Sequence, residues 1–165
     1  MDDEKAKTME ATRARLAGGY IRSTPHGNAL RAEVVELGHG LAVFRLPFRE
    51  EFTGDIDAGL WHTSVGLSLI DNTCGLSVLN ALPGIEPIAT LDLRTDYLRP
   101  AVIPKPLIAR AECYHVTRHI AFVRGEVYQE SRDRLTAHFA AAFIRTSKKI
   151  NARAKNETGG RSGKP

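Results

Sequence analysis

The sequence predicts an α+β domain in which one long, buried helix is wrapped by a curved antiparallel sheet of about six strands. Three observations carry that reading. Residues 59–79, GLWHTSVGLSLIDNTCGLSVL, are apolar almost all round at helical spacing, as a core helix is. Two runs before this stretch and four after it alternate with period two, between turn signals. Small residues at inward positions of the later runs, Ala109, Ala111, Gly125, Ala137 and Ala141, leave room for a helix to lie close on a sheet. A chain of 165 residues with 42% apolar content is enough for one such core.

Residues 3–17 read as a short exposed helix that GGY at 18–20 stops. RAEVVELG (31–38) and GLAVFRLPFR (40–49) form a hairpin about GHG, and EEFTGDIDAG (50–59) is a loop. The long helix follows, with Thr63 and Ser64 as candidate N-caps and the PG at 83–84 as its stop, for about five turns. On a helical wheel Leu67, Cys74, Gly75 and Val78 share the side of Asp71, the one acid in the run. In TLDLRTDYL (90–98), Leu91, Leu93 and Tyr97 are expected inward, alternating with Asp92, Arg94 and Asp96. LIARAECYHV (107–116), AFVRGEVYQE (121–130) and LTAHFAAAFI (135–144) continue the pattern, with Arg110, Glu112, Arg124 and Glu126 expected in cross-strand pairs. The tail is polar and Gly-rich, with nothing to bury, and is expected to be disordered. The resulting division is 1–24 as an exposed helix and linker, 25–147 as the folded domain and 148–165 as a disordered basic tail.

The net charge of +4 does not point to nucleic acid, because Lys148, Lys149, Arg153, Lys155, Arg161 and Lys164 place the basic excess in the tail. TGGRSGKP is not expected to be a phosphate loop, since Thr158 stands at its first glycine position and Pro165 where a magnesium-binding hydroxyl belongs. Cys74 and Cys113 lie in apolar patterns and are expected as reduced core thiols. MDDEKAKTMEATRARL has no apolar signal region and no stretch suits a bilayer, so the expectation is a cytoplasmic protein without membrane contact. His115 and His119 are four apart in a strand-turn context, which does not converge on a metal, and no Gly-x-Ser-x-Gly elbow exists. No metal and no cofactor are expected.

The run GLWHTSVGLSLIDNTCGL resembles the phenylacetate-type acyl-coenzyme A thioesterases of the hotdog superfamily, whose motif is His-Gly-Gly with an acid nine residues after the His. His62 and Asp71 have that separation. TLDLRTDYLRPA (90–101) is similar to the family's next strand, and RAECYHVTRHIAFVRGEVYQESRDRLTAHFAAAF to its last three, so the resemblance covers roughly residues 25–147. It implies a homodimer or dimer of dimers with sites between paired subunits. It also implies hydrolysis of an acyl-coenzyme A substrate, with Asp71 as nucleophile or as base for water.

Elementary geometry agrees with a shared site. The free N–H groups near Ser64 and Val65 can grip a thioester oxygen, yet Asp71 lies seven residues on, about 10 Å along the same helix. One carbonyl cannot touch both, so the spacing favours a site shared between two subunits. His62 and Thr63 are candidate substrate contacts, and Arg99, Arg118 and His119 candidate contacts for coenzyme A phosphates. Two departures from the family stand out: Thr63 and Ser64 replace its glycines, and Asp55 and Asp57 occupy the loop where an Asn or Gln is common. The alternatives are a non-catalytic acyl-coenzyme A binding or sensing protein, in which those side chains spoil the oxyanion site, and a hotdog enzyme of other chemistry such as hydration of an enoyl thioester.

Overall fold

The computed structural model describes residues 19–20 and 24–145. The expected helix over 3–17 and the expected disordered tail from 148 lie outside the described residues. Gly19 and Tyr20 are helical, so the expected stop at 18–20 does not fall there.

A short helix that the sequence reading did not foresee, α1 (Pro25–Leu30), opens the described domain. The local signal is present: the Thr24 hydroxyl accepts the Gly27 N–H at 3.0 Å and Pro25 occupies the first turn, where its missing N–H costs nothing. Arg31, at φ 53°, ends it in the left-handed region. Strands β1 (Glu33–Gly38) and β2 (Leu41–Leu46) make the expected hairpin, with Gly40 at φ +68° in its turn. The expected loop at 50–59 is instead a 3-10 turn (Glu50–Phe52) and a two-stranded ribbon, β3 (Thr53–Asp55) with β4 (Leu60–Trp61). Asp55 closes the ribbon's turn by accepting the Ala58 N–H at 2.9 Å.

Helix α2 (Thr63–Ala81) is followed by β5 (Ile88–Tyr97), β6 (Leu107–Val116), β7 (Ile120–Tyr128) and β8 (Leu135–Arg145). The six long strands form one antiparallel sheet in the order β1-β2-β6-β7-β8-β5. The sheet wraps α2 in the hotdog arrangement. The helix packs chiefly on β6 and β2, where Ala42, Ala109 and Ala111 are fully buried and let it approach. Asn80 fastens its C-terminal end to the β1–β2 hairpin, donating from Nδ2 to the carbonyls of Gly38 and Leu41.

Gly125 makes room for a different neighbour than expected. A Cβ there would lie 2.2 Å from both the Arg110 carbonyl oxygen and the Phe139 ring, so the gap is filled by Phe139 rather than by the helix. The exposed charges pair in part as expected, with Arg124 across from Glu112 at 3.3 Å.

Two expectations of burial fail for related reasons. Leu91 and Tyr97 are 54% and 53% exposed, because β5 is an edge strand and a bulge between Thr90 and Asp92 leaves Leu91 out of register. Helix α2 is not buried along its whole length either: His62, Thr63, Ser64 and Leu67 are exposed and Asp71 is half-buried, while the helix from Thr73 to Val78 is enclosed. Among the described residues, no helix is long and apolar enough to cross a membrane.

Candidate functional site

The start of α2 is held in place by the ribbon that precedes it. Trp61 donates its backbone N–H to Ala101 and its indole Nε1–H to the Lys105 carbonyl, each at 3.0 Å, and its ring packs against Phe48 and Phe52. His62 N–H donates to the Phe52 carbonyl at 2.9 Å. Gly54 permits this closeness, since a Cβ there would lie within 2.9 Å of the Trp61 and His62 backbone.

His62, and not Thr63 or Ser64, is the N-cap. Its Nδ1 accepts the Ser64 N–H at 3.3 Å and stands 2.7 Å from the Ser64 hydroxyl. The Val65 N–H donates to the His62 carbonyl at 3.1 Å. Both N–H groups named above as oxyanion donors therefore have a partner in His62.

A cavity of about 320 Å³ lies beside this helix start. Its wall is mainly apolar, with Trp61, Gly66, Ile70, Leu107, Val127 and Ala137, and it also includes His62, Thr63 and Arg99. Arg99 is fixed there by donating from Nη1 to the Leu135 carbonyl at 2.9 Å. Across the same helical turn is a second cleft of about 620 Å³, whose lining includes His26, Arg31, Arg49, Glu51, Ser64 and Val65, with Arg49 paired to Glu51 at 3.3 Å. The first turn of α2 is thus a partition between an apolar chamber and a second cleft.

Asp71 lines neither space. Its Oδ1 accepts the Thr90 hydroxyl from β5 at 2.8 Å. Nearby, burial and then the Asp71 carboxylate push the Cys74 thiol well above its usual range. Of the residues singled out in the sequence, the structure gathers His62, Thr63, Ser64, Val65 and Arg99 about the helix start and sets Asp71 two turns along. Arg118 and His119 belong to the β6–β7 turn, at the far end of β6 from Leu107 and about 30 Å away within one subunit. Among the described residues, no three His, Cys, Asp or Glu side chains converge to hold a metal ion. Thr90 was not singled out, because the hydroxyl that meets Asp71 is chosen by how β5 docks on α2, which no local pattern records.

The profile of the thioesterase superfamily matches residues 58–136, the stretch from just before the helix to the start of β8. A solved structure from Pseudomonas aeruginosa is similar, with 35% identity and a TM-score of 0.72 over 82% of this chain and 98% of that one. A mutant of the phenylacetic acid degradation protein PaaI from Thermus thermophilus is similar too, with 28% identity and a TM-score of 0.65 over 74% of this chain and 100% of that one. A protein of Halobacterium salinarum named as a candidate esterase is 32% identical over 96 residues, 53% of this chain. The chain spans only about three fifths (60%) of that relative's length.

Proposed function

The chain belongs to the thioesterase superfamily with a PaaI-like hotdog fold, and from that premise we propose that it hydrolyses an acyl-coenzyme A thioester to the free acid and coenzyme A. The observation that carries the proposal is the Asp71–Thr90 pair, a half-buried carboxylate anchored through one oxygen and standing apart from the helix start on the same rigid rod. A carboxylate in an otherwise apolar helix is expensive unless it is paired or used. Here Asp71 acts as nucleophile or as general base toward water. The 320 Å³ chamber takes the acyl group, with His62 and Thr63 on its wall. Arg99 serves the phosphates, and Arg118 and His119 do so only from a second subunit, since they sit at the far end of their own.

Because Asp71 and the helix start are about 10 Å apart along one helix, each site in this proposal pairs the acid of one subunit with the helix start of another. The surface around Asp71 suits that pairing: β5 is an open edge, and Leu67 and Leu91 beside it are 40% and 54% exposed. Sedimentation at micromolar concentration is expected to give a dimer or tetramer, and a monomer would overturn the shared site. The reading includes no metal, prosthetic group or nucleic acid, and a cytoplasmic location.

One observation favours a second reading. The Ser64 and Val65 N–H groups are already engaged by His62, which suits a protein that binds acyl-coenzyme A without turning it over. A panel of acyl-coenzyme A thioesters, followed by colorimetric detection of free thiol, separates the two. Steady thiol release is expected; calorimetric binding without release would establish the sensor instead.

A further inference from the structure

Tyr20 lies on α2 at a place where only glycine would admit it. Gly75 is four residues after Asp71, on the same helix face. A Cβ at Gly75 would stand 2.1 Å from the Tyr20 phenolic oxygen and 3.2 Å from its Cζ, so the phenol occupies the space any larger side chain would need. Phe143 of β8 closes the other side, 3.9 Å from the same point.

We propose that Tyr20 is a positioning residue for Asp71: seated over Gly75, its phenol covers the helix face that carries the acid and sets a hydroxyl beside it, while Thr90 holds Oδ1 from β5. This rests on Asp71 being the reacting acid of the function proposed above. The electrostatics are consistent with the placement. Burial first, then the Asp71 carboxylate and the Cys74 thiol, push the phenol up to about 12. At any working pH it is therefore an intact O–H, able to donate but carrying no charge that would repel the acid. Cys74 stays protonated for similar reasons, and Cys113 on β6 stands behind it. Thr90 and Tyr20 are then the two hydroxyls that border the acid in this arrangement. The role of Gly75 follows: it keeps the helix bare where Tyr20 must dock.

Three variants test this. Tyr20→Phe keeps the ring and removes the hydroxyl. Gly75→Ala puts a methyl where the phenol tip lies, displacing the end of one side chain while improving the helix itself. Asp71→Asn removes the charge. Ultraviolet titration of tyrosine, with the Tyr20→Phe curve subtracted from wild type, should isolate one phenol ionising near 12. That ionisation should fall by about half a unit or more in Asp71→Asn and in Gly75→Ala. With phenylacetyl- and hexanoyl-coenzyme A, Tyr20→Phe and Gly75→Ala should each lower kcat about tenfold with little change in KM and an undiminished Tm. A Tyr20 phenol that titrates near 10, or that ignores Asp71→Asn, would overturn the placement. Wild-type turnover in Tyr20→Phe and Gly75→Ala, beside an inactive Asp71→Asn, would overturn the positioning role alone. Turnover that survives in Asp71→Asn would overturn the parent reading instead.

Discussion

Asp71→Asn is expected to leave a folded protein that hydrolyses acyl-coenzyme A thioesters at least about a hundredfold more slowly. The substitution keeps the shape of the side chain, and an amide oxygen can still accept the Thr90 hydroxyl that Oδ1 accepts now. What disappears is the negative charge, and with it the ability to attack a carbonyl or take a proton from water. Stability should hold or rise slightly, because a half-buried charge is exchanged for a neutral group with the same contacts. Circular dichroism and Tm check the fold while thiol release checks the rate. Turnover within a few-fold of wild type would make the carboxylate a structural group, satisfied by Thr90 and nothing more.

Gly125→Ala is expected to cost about 3 kcal/mol of stability and to lower Tm by roughly 10 °C. The added methyl meets Phe139 and, equally close, the carbonyl oxygen of Arg110 on the neighbouring strand. A ring can rotate away, but a carbonyl in a β-ladder cannot move without giving up its strand partner. Combining the change with Phe139→Leu should relieve only the ring's share. A thermodynamic cycle should therefore show coupling above about 0.5 kcal/mol while leaving a residual deficit from the carbonyl. Full additivity would mean that the two residues do not compete for space.

The sheet was legible because its faces differ: Ala109 and Ala111 turn inward while Arg110 and Glu112 turn outward, and that contrast is written into every second position. The long helix was legible for the same kind of reason, through its apolar run and the Pro83 that ends it. Its first residue was misread because Thr and Ser are stronger caps than His, and only the ribbon that fixes His62 makes its imidazole the better-placed acceptor. Leu91 and Tyr97 show the limit of alternation. It reports which side of a strand a residue faces, but not whether anything in the subunit lies there. Asp71 could be singled out as the one acid in an apolar run, and His62 through the family resemblance, whereas Thr90 reaches the acid through tertiary docking and has no sequence signal.

The anchor of Asp71 sits on an edge strand of the sheet. Thr90 belongs to β5, an edge with a bulge at its side, where ladder hydrogen bonds exist toward β8 only. Edge segments of this kind open locally at low free-energy cost, long before a domain unfolds as a whole. Each such opening takes the Thr90 hydroxyl away from Oδ1 and leaves the carboxylate free to turn. In the assembly proposed above, β5 is no longer an edge, and amide protons along it should exchange more slowly. Association would then do more than bring two half-sites together: by damping the fluctuations of one strand, it would fix the orientation of the acid itself.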